Sequence, residues 1–191
     1  MRPTPSFIQV VAAARDLVVT RVGEHVCRLE PRHSELAWHC DLDDGTPTDS
    51  DRDPASSVSW VCPDLRVSRS AGAVPLEVHR RGPQSDLGRG LAALGRLAGR
   101  SPGRPADSSS ANRFVYTDPH GILDVPMRHR IENWPPAPHG HGEVQPAELW
   151  SVRVNGEGLV VNSVSWWDSA AALEHHIGLA IDLADRLAAT R

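Results

Sequence analysis

The chain has 191 residues and a formal net charge of −4, set by 24 acidic and 20 basic side chains. This length favours a single domain spanning residues 1–191, and the negative balance argues against a chain built as a whole to bind nucleic acid. No run of residues approaches the roughly 18 apolar positions that a membrane helix needs, so we expect no membrane partner.

The basic residues indicate the kind of genome that encodes the protein, and the cysteines indicate its cellular compartment. Every basic side chain is an arginine, and so many separate sites cannot all need a planar guanidinium, so we interpret the absence of lysine as codon bias in a GC-rich bacterial genome. Cys27, Cys40 and Cys62 are odd in number and show no close pairing, which argues against a disulfide framework. We therefore expect a cytoplasmic protein.

The N-terminal part predicts a helix followed by strands. Residues 5–15 carry apolar side chains at helical spacing, and the alternative of a short signal peptide is disfavoured because Gln9 interrupts the apolar run. Residues 17–30 are rich in β-branched side chains around Gly23-Glu24, which predicts a hairpin. Residues 34–40 alternate between apolar and more polar side chains, which predicts a half-buried strand.

Two further strands are predicted after the chain's first charged segment. Residues 41–57 hold six aspartates and one arginine, which predicts an acidic loop. Val58, Trp60 and Cys62 alternate with more polar residues, which predicts a strand after this loop. Residues 74–78 predict one more.

The segment from Arg80 to Arg104 is basic, with six arginines and one aspartate. Leucines at helical spacing, among them Leu91 and Leu94, predict a helix. Each of its glycines costs about 1 kcal/mol relative to alanine, so this helix needs tertiary or partner contacts. Residues 101–112 predict a flexible loop.

The residues after this loop predict a hairpin of their own. Phe114–Thr117 is strand-like, residues 122–131 alternate in polarity, and residues 118–121 between them form a turn signal. Pro126 cannot donate a ladder hydrogen bond, so we expect the second strand at a sheet edge or at a bulge.

The last segment predicts two strands and a long helix. Residues 149–154 and 159–166 flank Asn-Gly-Glu-Gly, which predicts a hairpin, and Asp168 or Ser169 caps the helix that follows. The apolar positions of this helix are Leu173, Ile177, Ala180, Ile181, Ala184 and Leu187, flanked by Leu179 and Leu183. We therefore predict an α+β fold: an antiparallel sheet of several hairpins with a long C-terminal helix packed on it.

One motif has the spacing of metal ligands. On a strand, His139, His141 and Glu143 would face one side and could bind zinc or another divalent metal, with His120 or His129 as a further ligand. The prolines and glycines around them favour a loop with solvent-facing histidines instead.

Two other clusters favour a structural role. The first contains His25, Cys27, His33, His39 and Cys40. It lacks a standard zinc spacing, and alternation places Cys40 on an apolar face, where a thiol is a small core residue. The second, residues 49–53, begins like a calcium loop, but Pro54 stands where that loop requires glycine.

No catalytic motif is complete, so we predict a non-enzymatic protein-binding or regulatory module without a cofactor. The basic helix and an exposed tryptophan form its predicted partner surface. The residues of this surface are Arg80, Arg81, Arg89, Leu91, Leu94, Arg96, Arg100 and Trp167. Nucleic acid is disfavoured as the partner because no aromatic residues interleave with the arginines.

Two alternatives stay open. One is a metal-dependent, hydrolase-like enzyme that uses His139, His141 and Glu143. The other is a small-ligand binding protein with a pocket between the sheet and the helix. Tryptophan is more common here than phenylalanine and tyrosine together, and we interpret most of it as core filling.

Overall fold

The computed structural model describes residues 4, 6–43, 57–66, 76–80, 114–119, 121–134, 148–164 and 169–190. Its strands are β1 (Leu17–Arg21), β2 (Val26–Pro31), β3 (His39–Asp43), β4 (Ser57–Cys62), β5 (Glu77–Arg80), β6 (Phe114–Thr117), β7 (Glu148–Asn155) and β8 (Gly158–Val164). Its helices are α1 (Ser6–Ala14), α2 (Val125–Glu132) and α3 (Ala170–Ala189), with a single 3-10 turn at Pro63–Leu65. Within these residues, eight strands form an antiparallel sheet in the order β1-β2-β3-β4-β8-β7-β5-β6. The predicted α+β fold is confirmed.

The sheet has an apolar face that carries helix α3. On β4, Val58, Trp60 and Cys62 are buried, whereas the residues between them are more exposed, as the alternation predicted. The register extends this face, because Trp60 pairs with Cys40 on β3 and with Val161 on β8. Both partners are fully buried, and α3 contacts β4 and β8.

Two predicted hairpins are confirmed, one at each end of the chain. Strands β1 and β2 pair through the turn at Gly23-Glu24, and β7 pairs with β8 through residues 155–158. Gly158 has φ +123°, and a Cβ built on it would lie 2.1 Å from the Cys62 carbonyl oxygen. Only glycine can therefore occupy this position without moving the backbone.

The predicted C-terminal helix is also confirmed. Ser169 is its N-cap, with a side-chain oxygen that accepts from the Ala172 backbone N–H at 3.3 Å. The predicted apolar positions are buried except for Ile181, which is partly buried. His176 lies on the same buried face and is fully enclosed, which the sequence analysis did not anticipate.

Arginines from α2 and from the end of α1 hold α3 in place. Arg15 pairs with Glu174, and Arg130 pairs with Asp182. A Cβ on Gly178, between the two carboxylates, would lie 3.3 Å from an Arg15 nitrogen and 3.6 Å from an Arg130 nitrogen. Gly178 therefore leaves room for two guanidinium groups beside the helix.

The predicted strand over residues 122–131 is wrong, because this segment forms helix α2. The Asp118 carboxylate accepts from the backbone N–H groups of Ile122 at 3.0 Å and Leu123 at 2.8 Å, which turns the chain before the helix. Asp124 then caps α2 by accepting from the Met127 N–H at 2.9 Å. This bond and the nearby Arg186 guanidinium lower the pKa of Asp124.

The burial pattern explains why the strand prediction failed. Met127 and Ile131 are buried and four residues apart, a spacing that fits both a strand and a helix. Val125, which a strand would place on the same face, is 80% exposed. Pro126 lies in the first turn of α2, where a missing N–H costs nothing, and not at a sheet edge. Strand β6 pairs with β5 instead.

The strand predicted over residues 34–40 begins only at His39, and residues 34–38 have no regular structure. Strand β3 extends to Asp43, so it includes the first residues of the predicted acidic loop. The rest of that loop, residues 44–56, lies outside the described residues. The predicted basic helix beyond Arg80 and the loop at 101–112 also lie outside them.

Candidate functional site

A cavity of about 530 Å³ lies between residues 34–38, strand β4 and the C-terminal half of α3. We call it the sheet–helix groove. Its apolar lining residues are Leu36, Trp38, Trp60, Ile181, Ala184 and Ala188. Its polar lining residues are Ser34, Glu35 and Asp185.

Helix α3 forms one wall because four of its lining residues recur at helical spacing. Ile181, Ala184, Asp185 and Ala188 follow the i, i+3, i+4, i+7 pattern of one helix face. The two alanines are the reason that space remains, since a larger side chain at either position would extend toward the sheet. The apolar stripe of α3 therefore fills the core along most of the helix, and at the C-terminal end it lines the groove.

The opposite wall is the irregular segment 34–38, which is anchored to the 3-10 turn after β4. The Ala37 N–H donates to an Asp64 carboxylate oxygen at 2.7 Å. This bond holds Trp38 against Trp60, with ring centroids 5.5 Å apart and planes tilted by 31°. Aromatic pairs favour such offset or tilted arrangements, so the pair forms a rigid wall.

Trp60 also contains an unusual buried polar atom. The residue is fully buried, and its indole N–H has no acceptor among the residues that the structure describes. A buried donor without a partner costs about 1–3 kcal/mol. Such groups call for an explanation when they occur in a native fold.

The charged residues that the structure describes along the groove are acidic. Glu35 and Asp185 are carboxylates, and no arginine or histidine is found among the described lining residues. Within the described ranges, no salt bridge involves either carboxylate. The groove therefore combines apolar walls with two acids that are not neutralised by an ion pair there.

A second polar arrangement lies in the core, between β8 and α3. The Ser163 hydroxyl and His176 Nδ1 are 2.8 Å apart, and both residues are fully buried. Burial lowers the pKa of His176 to about 3, with a smaller contribution from neighbouring His175. The imidazole is thus neutral at neutral pH. No external substrate can reach a Ser163 side chain sealed in this way, so we assign the pair a structural role.

Trp134 closes this region at the end of α2. Its ring centroid lies 4.8 Å from that of His175 and 6.0 Å from that of His176. His175 Nε2–H donates to the Arg130 carbonyl at 2.9 Å, and burial lowers its pKa. These contacts dock α2 on α3. The sequence signal for a buried His176 was its place on the apolar stripe.

The opposite face of the sheet is more polar. Arg28 on β2 forms a two-bond contact with Asp41 on β3, at 2.7 and 2.8 Å, and this contact raises the pKa of Arg28. His39 lies on this face with its pKa lowered by burial, whereas Cys40 points into the core. Alternation therefore separates two members of the predicted His/Cys cluster. In the described part of the chain, no three His, Cys, Asp or Glu residues are grouped to hold a metal.

Most predicted site residues lie outside the described residues. These are Arg81, Arg89, Leu91, Leu94, Arg96, Arg100, Trp167, His120, His139, His141 and Glu143. Arg80 ends strand β5, where its backbone pairs with Phe114. His129, predicted on a strand, lies instead on an exposed face of α2. The partner surface and the metal site both stay predictions.

The sheet–helix groove could not be identified from the sequence, although a pocket between sheet and helix was one of the alternatives. Alternation placed Trp60 on a strand face, and helical spacing placed Ala184 on the apolar stripe of the C-terminal helix. Ala184 and Ala188 are the residues that leave space for the groove. Their small size indicates a groove only once the tryptophans are known to lie opposite them. Comparison with family models, curated proteins and solved structures found no match for this chain. Among the described helices, none combines the length and apolar character needed to span a membrane.

Proposed function

We propose that this protein is a non-enzymatic small-ligand binding module and that the sheet–helix groove is its binding site. The observation that carries this proposal is the groove itself, about 530 Å³ in volume, with aromatic and aliphatic walls and a few polar groups. Small-molecule sites have volumes of roughly 300–1,000 Å³, and the volume of this groove lies within that range. A ligand that fits would place its apolar part between Trp38 and the alanines of α3.

The chemistry of the groove favours binding over turnover. Each methylene that a ligand buries there contributes about 0.8 kcal/mol, so a small apolar group suffices for measurable affinity. Of the groups in the groove, Ser34 has no base placed to activate it among the described contacts. Ser163 and His176, which are hydrogen bonded in the described part of the chain, are sealed in the core.

The test is to fill the groove without changing the fold. Ala188→Leu introduces a side chain into the groove, and Ala171→Leu makes the same change at an exposed position near the start of α3. Nile red, an uncharged dye whose emission depends on polarity, reports binding. We expect the dye to bind the unaltered protein and the Ala171→Leu variant, and to bind the Ala188→Leu variant much more weakly. Equal binding by all three proteins would contradict the proposal.

A protein partner is a second candidate function, and Trp150 favours it. This residue lies where the pairing of β7 with β8 is irregular, and it is 52% exposed. Exposed tryptophans are common anchors of protein interfaces. The basic segment from Arg80 to Arg104, predicted from the sequence as a docking element, would belong to the same function.

Two kinds of variant test the partner proposal. A photoreactive amino acid in place of Trp150 should give a cross-linked adduct of one defined mass in cells, and the same group in place of exposed Val22 should not. Leu91→Asp or Leu94→Asp should abolish that adduct while the thermal unfolding midpoint stays unchanged. If either leucine variant unfolds, the predicted helix belongs to the core and the docking assignment is wrong.

A further inference from the structure

We propose that the sheet–helix groove selects small organic cations, namely amines or quaternary ammonium groups attached to an apolar group. This inference rests on the proposed function and adds the ligand class to it. Two features of the groove point the same way: the charge of its described lining residues and its aromatic wall.

The charge of the lining is the first feature. Glu35 and Asp185 contribute two carboxylates from opposite walls, one on segment 34–38 and one on α3, and none of the described residues that line the groove is cationic. A charge that enters between them is attracted if positive and repelled if negative. Both carboxylates are exposed, so the preference for a cation that they confer is modest and is reduced by salt.

The aromatic wall is the second feature. Trp38 keeps 9% of its surface exposed and packs on the fully buried Trp60. Tryptophan is the best aromatic partner for a cation, and recognition of quaternary ammonium groups by such faces is an established use of this interaction. Trp38 is the face that a ligand would contact, and Trp60 supports it from behind.

The size of the groove indicates a single small molecule as the occupant. Its volume of about 530 Å³ matches one drug-sized compound. The apolar walls require that the cation carries a hydrocarbon part, since a bare ammonium would gain little from them.

The experiment compares three probes of nearly equal shape: phenyltrimethylammonium, its uncharged isostere tert-butylbenzene, and the anion 4-tert-butylbenzoate. Binding is followed through the indole N–H resonances of the tryptophans in two-dimensional NMR spectra. Trp38→Phe and Trp60→Phe variants assign the two groove signals. We expect the cation to shift these signals and to bind at least several-fold more tightly than the isostere, and the anion to bind most weakly.

Variants that neutralise one carboxylate at a time test whether Glu35 and Asp185 cause the preference for a cation. Glu35→Gln and Asp185→Asn should each weaken cation binding about two- to fivefold, the range measured for exposed ion pairs, without changing the affinity of the uncharged isostere. Glu157→Gln, at an exposed carboxylate in the β7–β8 turn, is the matched control and should change neither affinity. Raising the salt from about 20 mM to about 300 mM should weaken only the cation, because its attraction is screened.

The outcomes separate this inference from the proposed function. If the uncharged isostere binds as tightly as the cation, or the anion binds more tightly, the inferred ligand class is wrong while the groove remains a binding site. If none of the probes shifts a groove resonance and Nile red does not bind either, the proposed function fails as well.

Discussion

The buried histidine His176 makes stability sensitive to mild acid. Its pKa is about 3 in the folded chain, against an ordinary value of 6.5. Below that ordinary value the unfolded chain binds a proton that the folded chain excludes, so acid favours unfolding. The contribution of His176 to the free energy of unfolding is therefore complete above about pH 6.5. It is lost progressively as the pH falls toward the pKa that His176 has in the folded chain.

The size of the effect follows from the linkage between protonation and folding. Each pH unit below the unfolded pKa costs up to about 1.4 kcal/mol for one group. At about pH 5, the loss is therefore about 2 kcal/mol. Any folded pKa below about 4 gives nearly the same loss at that pH, so the prediction does not depend on the exact value. The lowered pKa of His175 acts in the same direction.

The assay is urea unfolding, followed by circular dichroism, at several pH values from about 7.5 down to about 5, a window in which most carboxylates stay ionised. His176→Gln is the control, because the amide can still hydrogen bond to Ser163 but cannot titrate. We expect the free energy of unfolding of the unaltered protein to fall across this window, and the variant to lose most of that dependence. A pH dependence that is equally steep in both proteins would refute the assignment.

Three further changes test other parts of the structure. Gly158→Ala should cost about 3 kcal/mol or more, because its Cβ would overlap the Cys62 backbone; Gly156→Ala, where nothing lies within 4 Å, should change the unfolding free energy much less. Ser169→Ala should cost about 1 kcal/mol by removing the N-cap of α3, measured by the same urea titration. Metal analysis of protein purified without a His tag should find far less than one metal per chain. A stoichiometric metal that is lost in the His139→Ala/His141→Ala variant would instead support the enzyme alternative.

The sequence by itself determined the elements whose patterns are local. Alternation identified β4, because a strand places successive side chains on opposite faces. The four-residue segment Asn-Gly-Glu-Gly identified the β7–β8 turn, and helical spacing after a capping residue identified α3. In each case one nearby stretch of chain contains the whole signal.

Tertiary structure decided the elements whose patterns are ambiguous. Met127 and Ile131 fit either a strand or a helix. The side chains of Asp118 and Asp124 stabilise the start of helix α2 by accepting backbone hydrogen bonds. The sequence contained these residues, but Asp118 before Pro119 is equally typical of a hairpin turn. Tertiary contacts then hold this helix against α3, among them the pair between Arg130 and Asp182.

The sheet–helix groove depended entirely on tertiary structure. Its walls come from segment 34–38, from Trp60 and from the end of α3, which are far apart along the chain. Local spacing states which residues share a face, but a cavity depends on the distance between two faces and on the side chains that fail to fill it. Ala184 and Ala188 are ordinary helix residues in the sequence, and they become the wall of a groove only because the tryptophans stand opposite them.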